Sequence, residues 1–257
     1  MWNPGEILID DQLIDQLCNL LAASGLTMAL TGAGISAGSG IPTFRGLQGL
    51  WEKYDIMEYA HIDAFMSNPA KVWQMLTELD ATINMAKPNP AHTALAQLEE
   101  MGLLRMIVTQ NVDNLHQDAG SREVVEFHGN ASKFRCLDCR TAHERHQVNL
   151  ADMPPRCACG GLVKPDVVFF GEAIPWAANV KAFETARRAE LILVVGTSAV
   201  VAPASEIPVA AKRAGGKVVE INPEPTVLTR GITDLFLQGS AEDVLPMVVE
   251  RLKANRH

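Results

Sequence analysis

The sequence predicts an α/β protein in which a doubly wound parallel sheet carries a small cysteine-rich insertion and a small helical insertion. Short apolar segments alternate with helical segments of about 10 to 15 residues over most of the chain, which is typical of parallel strands joined by helices. Four of the five cysteines lie within residues 128–165, a segment with few large apolar residues. Residues 47–100 carry irregular helical patterns.

Composition and charge limit the class of protein. Of the 257 residues, 47% are hydrophobic and 20% are charged, which is ordinary for a globular enzyme. Thirty acidic against 22 basic residues give a formal charge of −8, which disfavours nucleic acid and anionic membranes as partners. The N-terminal residues lack the pattern of a signal peptide, and the apolar runs are too short to span a bilayer. We therefore expect a cytoplasmic protein, in which clustered cysteines indicate a metal rather than disulfides.

The first predicted elements alternate between helix and strand. A helix begins at Asp10 or Asp11 as its N-cap, repeats leucines at helical spacing and buries Cys18. "LTMALT" is a short apolar strand that runs into the glycine-rich loop "GAGISAGSG". "AHTALAQLEEMG" is a helix ended by Gly102. "LLRMIVTQN" is a second buried parallel strand, because it is apolar at consecutive positions.

The alternation resumes after the cysteine-rich insertion. The predicted order is "VVFFGE", a helix through Ala177–Ala189, the strand "LILVV", another helix, the strands "KVVEIN" and "DLFLQG", and a closing helix through Val244–Leu252. We therefore expect residues 1–46, 88–127 and 166–257 to form the large domain, 47–87 a helical insertion and 128–165 the cysteine-rich module.

In such sheets, ligands bind beyond the carboxyl ends of the strands. The loops that follow the predicted strands are the candidate site, namely Gly32–Arg45, Gln110–His116, Gly196–Ala202 and Asn222–Pro225.

The loop after the first strand matches a dinucleotide fingerprint. Gly32-x-Gly34-x-x-Ala37 is the variant G-x-G-x-x-A, whose glycines let the backbone approach a pyrophosphate and leave amides free to donate to it. A purely structural glycine turn is the alternative. A dehydrogenase fingerprint predicts an acidic residue at the end of a second strand, about 20 positions further on. Asp55 and Glu58 lie near that distance, but no apolar strand precedes them.

The cysteine spacing indicates a metal. Cys136-x-x-Cys139 and Cys157-x-Cys159 are separated by seventeen residues and offer four soft ligands in two tight pairs, as tetrahedral zinc requires. Rubredoxin-like iron and free thiols are the alternatives. Four thiolates leave no open coordination position, so this metal would hold the fold. His128, eight residues before Cys136, is then not needed as a ligand.

Taken in order, the motifs resemble a known family. They are "GAGISAGSGIPTFRG", "TQNVDNLHQDAG", "FHG", the two cysteine pairs, "KPDVVFFGE", "GTSAVV" and "INPEPT". This combination, from about Leu26 to Leu252, resembles the sirtuins of bacterial and archaeal type, which are NAD-dependent protein-lysine deacylases. The resemblance implies a Rossmann-like large domain, a small domain with one structural Zn²⁺, and a cleft between them for NAD and an acyl-lysine peptide.

The resemblance also implies how NAD is bound. Gly32, Ala33, Gly34 and Ser36 would hold the pyrophosphate and its ribose, and Thr43, Phe44 and Arg45 belong to the loop that closes over NAD. Gln110, Asn111, Val112 and Asp113 would line the nicotinamide pocket, with Asp113 at the carboxamide. The remaining cofactor-binding candidates are Gly196, Thr197, Ser198, Asn222, Pro223 and Glu224, with Ser198 and Asn222 at the adenosine ribose, and Ala241 at the adenine.

The implied reaction moves the acyl group from lysine to ADP-ribose and releases nicotinamide. His128 would be the base that deprotonates a ribose hydroxyl, since an imidazole accepts a proton near neutral pH, and Asn111 is the second catalytic candidate. The peptide would add as a strand between "VVFFGE" and "GTSAVV". The substrate candidates are Val168, Phe170, Gly171, Glu172, Leu76 and Leu79.

Three departures from the commoner sirtuin pattern affect these expectations. Gly38 and Thr43 replace an acid and an aspartate of the glycine motif, and the second cysteine pair is C-x-C instead of C-x-x-C. Sirtuins that remove succinyl or malonyl groups carry a tyrosine and an arginine that bind the acyl carboxylate, and the resemblance aligns Leu76 and Leu79 with these two positions. An apolar pocket cannot satisfy a buried carboxylate, so we expect acetyl or longer apolar acyl groups to be preferred over succinyl.

Four other functions are compatible with parts of the sequence. An NAD-dependent protein ADP-ribosyltransferase or an NAD hydrolase would use the same pocket. A zinc-ribbon binding protein would explain the cysteines, but it predicts a basic face and not a charge of −8. A classical dehydrogenase would explain the Gly-x-Gly motif and leave the cysteines unexplained.

Overall fold

The computed structural model describes residues 10–43, 50–150 and 153–255. The elements as far as the first strand of the small domain are α1 (Asp11–Ala23), β1 (Thr27–Thr31), α2 (Leu50–Lys53), α3 (Ile56–Tyr59), α4 (Ile62–Ser67), α5 (Pro69–Met85), α6 (Pro90–Glu100), β2 (Met106–Thr109), α7 (Leu115–Asp118), β3 (Val124–Glu126) and β4 (Gly129–Cys136). The remaining elements are β5 (Ala142–Glu144), β6 (Val163–Val167), α8 (Trp176–Arg188), β7 (Leu191–Val195), α9 (Glu206–Arg213), β8 (Lys217–Asn222), β9 (Leu235–Gln238) and α10 (Ala241–Ala254). Short 3₁₀ segments cover Ala33–Ser39 and Arg145–Gln147.

The large domain is built on a six-stranded sheet in the order β3-β2-β1-β7-β8-β9, and every pair of neighbours is parallel. The chain extends from β1 to β2 and β3 on one side, then returns to β7 on the other side of β1. The order of the strands therefore reverses between β1 and β7, and in such sheets a ligand crevice forms at the carboxyl ends of the strands beside this point. The predicted doubly wound parallel sheet is confirmed.

Helices cover both faces of this sheet. Alternate residues of β1 point to opposite faces: Ala29 joins the core beneath α1, α6 and α10, and Met28 and Leu30 join the core beneath α8 and α9. The predicted first helix is confirmed, with the Asp10 side chain accepting from the Gln12 amide and Cys18 buried. Among the described helices, none combines the length and apolarity needed to cross a membrane.

The small domain joins the two insertions in one core. Helices α3 to α5 pack on an antiparallel sheet in the order β5-β4-β6. Trp73 of α5 stacks on Phe134 of β4 with ring centroids 6.3 Å apart, and Phe65 of α4 meets Phe169 edge-on at 5.7 Å. The helical insertion and the cysteine-rich module therefore fold together, because neither has a large apolar face of its own to bury.

The expectation that "VVFFGE" is an element of the large sheet is wrong. Val167 ends β6 in the small sheet, and the segment after it is irregular and bridges to the helices of the small domain. The Phe170 amide donates to the Ala60 carbonyl at 2.9 Å, and the Ile62 amide donates to the Phe170 carbonyl at 2.9 Å. The apolar run reflects burial of Phe169 in the core of the small domain, which apolar composition alone cannot distinguish from a buried strand.

Candidate active site

A cleft of about 900 Å³ lies between the two domains, at the carboxyl ends of β1, β2, β7 and β8. Its volume is typical of a site for a small molecule or cofactor. The predicted site residues that line it are Gly32, Ala33, Gly34, Thr43, Leu76, Leu79, Gln110, Asn111, Val112, His128, Val168, Phe170, Gly171, Glu172, Gly196, Thr197, Ser198, Asn222, Pro223, Glu224 and Ala241. Phe44 and Arg45 lie outside the described residues.

The glycine-rich loop after β1 packs against the loop after β7. The Gly34 amide donates to the Gly196 carbonyl at 2.8 Å, and the Gly32 amide donates to the Val195 carbonyl at 3.1 Å. A Cβ on Gly34 would lie 2.8 Å from the Gly196 Cα, which is too close for any other residue type. The expectation that the Gly32 and Gly34 amides are free for a pyrophosphate is therefore wrong. Both glycines line the cleft, and their lack of a side chain lets the two loops approach each other.

A buried polar network lies behind the wall of the cleft and holds Asn111. The Ser36 hydroxyl donates to Asp113 Oδ2 at 2.7 Å and accepts from Asn111 Nδ2 at 3.0 Å. The other carboxylate oxygen of Asp113 accepts from the Leu115 amide at 3.0 Å. Ser36 and Asp113 are not among the lining residues, and each oxygen of Asp113 accepts one hydrogen bond. Both side chains orient Asn111, and their contacts to the cofactor stay a prediction.

Asn111 presents an unpaired acceptor at the cleft. Its Nδ2 also donates to the Gly32 carbonyl at 3.2 Å, so both of the side-chain donor directions are used. Its Oδ1 is buried and has no hydrogen-bond partner within the described part of the chain. A buried carbonyl left unpaired costs about 1–3 kcal/mol, so this atom indicates a place for the donor group of a ligand.

His128 is held as a neutral imidazole. Its Nδ1 lies 3.1 Å from the Gln110 carbonyl oxygen, and because that oxygen can only accept, Nδ1 carries the proton. The lone pair is then on Nε2. Burial lowers the pKa of His128 below its usual 6.5, and the bond to Gln110 opposes that shift only in part. At neutral pH the ring is therefore uncharged and can accept a proton at Nε2.

Two further histidines lie in the protein interior. His116 Nε2 is 2.9 Å from the Thr31 hydroxyl, and burial lowers the pKa of His116 to about 3. Burial also lowers the pKa of His92 to about 4, while the nearby Asp113 acts in the opposite direction. Neither residue lines the cleft, so both are neutral packing residues behind it.

The substrate side of the cleft is an irregular segment held from several directions. Glu172 Oε2 accepts from Lys164 Nζ at 2.9 Å and from the Phe169 amide at 2.8 Å. The Val168 amide donates to the His128 carbonyl at 2.8 Å, and the Phe170 amide donates to Ala60. These three amides are already used, so a peptide added along this segment would pair with its other backbone groups.

The four cysteines converge at the far end of the small sheet. All four Sγ atoms lie within 4.8 Å of one another, with Cys136 to Cys159 at 3.5 Å and Cys139 to Cys157 at 3.7 Å. Tetrahedral zinc with Zn–S bonds of about 2.3 Å places its sulfurs roughly 3.8 Å apart. The donor set and its spacing therefore fit a structural zinc ion, and the C-x-C pair closes the set as well as C-x-x-C would. His128 is not part of this cluster.

Several lining residues were not predicted from the sequence. Met75 precedes Leu76 on α5, Phe169 lies between two predicted substrate residues, and Asn179 and Glu242 come from the starts of α8 and α10. Met75 and Phe169 stand beside predicted site residues, so their position in the sequence could have indicated them. No sequence pattern indicates Glu242, because it reaches the glycine loop only through the tertiary fold. Its Oε2 occupies the space in which a Cβ on Gly38 would lie.

The fold and the cleft define a dinucleotide-binding enzyme with a small four-cysteine domain. The sequence profile of the Sir2 family matches residues 32–203, and the chain belongs to this family. An NAD-dependent protein deacylase from Pyrococcus furiosus is 48% identical over 247 residues, which are 94% of this chain and 98% of that protein.

Solved structures of the family superimpose over almost the whole chain. A Sir2 homologue in complex with NAD has a TM-score of 0.88 and 42% identity, covering 95% of this chain and 95% of that chain. A Sir2 complex with a p53 peptide and NAD⁺ has a TM-score of 0.87 and 38% identity, covering 94% and 99%. The sirtuin resemblance inferred from the motifs is confirmed.

Proposed function

We propose that this chain is an NAD-dependent protein-lysine deacylase, which transfers the acyl group of an acyl-lysine to ADP-ribose and releases nicotinamide. The observation that carries the proposal is the pairing, in one cleft of a Sir2-family fold, of a neutral His128 with the unpaired Oδ1 of Asn111. The His128 ring can accept a proton, and Asn111 Oδ1 can accept a hydrogen bond from a ligand.

NAD fits the cleft by size and by the polar groups that line it. Asn111 Oδ1 lacks a donor, and the carboxamide of a nicotinamide carries one. No lysine or arginine is among the described lining residues, so the positive charge for a pyrophosphate is proposed to come from Arg45 of the loop that closes over NAD. Bound NAD supplies an ADP-ribosyl group with nicotinamide as its leaving group.

The residues of this chain prepare the site for that chemistry. The Gln110 carbonyl fixes the tautomer of His128, so Nε2 is the atom that takes a proton from a hydroxyl in the cleft. Ser36 and Asp113 hold the amide of Asn111 in one orientation. Thr43, Phe44 and Arg45 are proposed to close the loop over the cofactor. The proposed adenosine contacts are those on the loops after β7 and β8, together with Ala241.

The four cysteines would hold one zinc ion in a closed set, which stabilises the small domain and leaves no position for a reacting group. A four-thiolate centre suits a reducing compartment, which supports the cytoplasm as the location. The negative charge of −8 supports a partner other than nucleic acid or an anionic membrane. The chain is proposed to consist of a large domain with two insertions, at 47–87 and 128–165. Strand β6 extends the second insertion to Val167.

The acyl-lysine peptide is proposed to lie between the segment 168–172 and the loop after β7, since both line the cleft. Recognition through backbone groups reads few side chains, so the peptide sequence would contribute little to affinity.

The proposal is tested by incubating the purified protein with an acetyl-lysine peptide, with and without NAD, and weighing the peptide by mass spectrometry. We expect the peptide to lose its acetyl group only when NAD is present. An ADP-ribosyltransferase would instead add the mass of ADP-ribose to the peptide. An NAD hydrolase would consume NAD and leave the peptide unchanged, and either result would overturn the proposal.

A further inference from the structure

The connection between β8 and β9 differs from the usual link between parallel strands, which is a helix. Residues 223–234, all of which the structure describes, form turns instead. Leu228 is buried in the core beneath α8 and α9, and Ile232 packs against that core. The connection therefore covers the same face of the sheet as those helices, and its backbone needs hydrogen-bond partners other than those of a helix.

A buried carboxylate lies beneath this connection. Glu220 of β8 is 1% exposed. Its Oε1 accepts from the Thr226 hydroxyl, and its Oε2 accepts from the hydroxyls of Thr229 at 2.7 Å and Thr233 at 2.5 Å. None of the ion pairs in the described part of the chain includes Glu220. Burying a carboxylate is costly unless it is hydrogen-bonded, and here the threonine hydroxyls provide the donors.

Two of these threonines also bind the backbone of the connection. Thr226 Oγ1 accepts from the Leu228 amide at 3.0 Å, and Thr229 Oγ1 accepts from the Thr226 amide at 2.8 Å. Each of the two hydroxyls therefore donates to Glu220 and accepts from an amide. The path of the backbone from Thr226 to Thr229 is fixed by the carboxylate through these bonds.

The first turn of the connection lines the cleft through Asn222, Pro223 and Glu224. Within this turn, Asn222 Nδ2 donates to the Glu224 carbonyl at 3.0 Å. Thr226 follows two residues later, so its bond to Glu220 holds the end of the turn against the sheet. Neither Thr226 nor Glu220 is among the lining residues.

The opposite end of the connection lies away from the cleft. Thr233 precedes β9, and the next amide, that of Asp234, donates to the Val218 carbonyl at 2.8 Å. Val218 is near the amino end of β8, whereas the cleft is at the carboxyl ends of the strands. Thr226 and Thr233 therefore bind one carboxylate from the two ends of the connection, and only Thr226 is next to the cleft.

We propose that Glu220 is a positioning residue for the cofactor, because through Thr226 it holds the turn 222–225 where the adenosine half of NAD binds. This inference rests on the proposed function, in which that turn contacts the adenosine. A turn that is fixed before binding loses less conformational entropy when the ligand arrives. Breaking the bond between Thr226 and Glu220 should therefore weaken the binding of every ligand that carries the adenosine group.

The matched variants are Thr226→Val and Thr233→Val, each of which removes one hydroxyl bond to Glu220 and replaces the side chain by one of similar shape. The probe is ADP-ribose, and its affinity is measured by isothermal titration calorimetry. We expect Thr226→Val to bind ADP-ribose about tenfold more weakly than the wild type, since a hydrogen bond to a charged group contributes at least that factor. Thr233→Val should bind it as the wild type does.

Two further measurements separate positioning from a general loss of structure. Thr226→Ser keeps the hydroxyl, so it should restore the affinity for ADP-ribose. In the deacylation reaction, Thr226→Val should raise KM for NAD about tenfold and leave kcat and KM for the acetyl-lysine peptide close to the wild-type values, because it weakens binding of the cofactor alone.

Each outcome decides the inference. Unchanged affinity for ADP-ribose in Thr226→Val, an equal loss in Thr233→Val, or no recovery in Thr226→Ser would overturn it. If Thr226→Val does not fold, Thr226→Ala is judged by the same criteria. A wild type that neither binds ADP-ribose nor consumes NAD would overturn the proposed function itself, whereas a wild type that does both, with no difference between the two threonine positions, overturns only the role of Glu220.

Discussion

His128 and Asn111 both line the cleft, and backbone carbonyls fix the orientation of both side chains. The Gln110 carbonyl accepts a hydrogen bond from His128 Nδ1, and the Gly32 carbonyl accepts one from Asn111 Nδ2. Backbone carbonyls at strand ends move little, so both side chains are oriented before any ligand binds. Such preorganisation is what allows a single base or acceptor to contribute to catalysis.

Replacing His128 by alanine removes the base without touching the cysteines. We expect deacylation to fall by about 10²–10⁴-fold, the usual contribution of a positioned general base. Rates with an acetyl-lysine peptide and the zinc content of the purified variant are the two measurements. A variant that loses its zinc together with its activity would contradict the separation of His128 from the metal cluster.

The sequence predicted which residues belong to the site better than it predicted where their side chains point. His128 and the four cysteines were assigned correctly to the cleft and to a common cluster, because their chemistry and spacing leave few alternatives. The cofactor contacts of Ser36 and Asp113 stay a prediction, and both side chains belong to the network that orients Asn111. The sequence does not show which side chains of the Ala33–Ser39 segment face a ligand, because a 3₁₀ turn points neighbouring side chains in different directions.

The elements that position the site are the two loops which leave β1 and β7, and they contact each other through glycine. Gly196 has a φ of +58°, and a Cβ on it would lie 2.4 Å from the Ile35 amide nitrogen. This position therefore needs glycine for two reasons, a left-handed backbone and the absence of space.

Gly196→Ala is expected to destabilise the fold and to weaken NAD binding, because the two loops must separate. Gly215→Ala is the matched control, since Gly215 has a φ of +97° and no atom within 4 Å of an added Cβ. The control carries the conformational strain alone, about 1 kcal/mol, and the steric term should add roughly 1–3 kcal/mol to Gly196→Ala. Chemical denaturation measures both variants, and equal losses would contradict the role of loop contact.

The small domain depends on the cysteine cluster, because its sheet has three strands and a modest core. Removing zinc with a strong chelator should unfold the sheet around β4 and shift Phe169, which packs in the same core and lines the cleft. We expect deacylation to be lost in step with zinc release and restored by added zinc. Full activity after the metal is removed would show that the cluster does not support the cleft.

Prediction at the element scale followed the strength of the hydrophobic pattern. The helices α1, α6, α8 and α10 and the buried strands β1, β2, β7 and β8 were found, because each is a clear apolar run or a helical repeat. The longest helix, α5, was predicted only as part of a helical insertion. β3 and the strands of the small sheet were missed, since they are short or carry polar residues on an exposed face. The two insertions pack in one core, and no local sequence pattern predicts this tertiary contact.

On the scale of the whole molecule, the cleft lies where two separately stabilised domains meet, and buried histidines behind it link stability to pH. His116 and His92 have pKa values lowered by burial to about 3 and about 4, from an ordinary value of 6.5. Above pH 6.5 both are neutral in the folded and unfolded chain. Below it the unfolded chain binds protons that the folded chain does not, so stability is lost as the pH falls toward the folded pKa values.

For His116 alone, this linkage costs on the order of 2 kcal/mol at pH 5 relative to pH 7. We expect the wild type to lose about that much more unfolding free energy between pH 7 and pH 5 than a His116→Gln variant does. Urea denaturation at the two pH values measures the difference, and the carboxylates common to both proteins cancel. Identical pH dependence in the two proteins would contradict a neutral buried His116.

We infer that one cleft brings an acyl-lysine and NAD together and passes the acyl group to ADP-ribose. The most direct test is the early-time stoichiometry of three products from one reaction: nicotinamide, deacylated peptide and acyl-ADP-ribose. We expect them to form in a ratio of one to one to one, and we expect His128→Ala to lower the yield of acyl-ADP-ribose. Nicotinamide release without acyl-ADP-ribose, or ADP-ribose attached to the peptide, would contradict it.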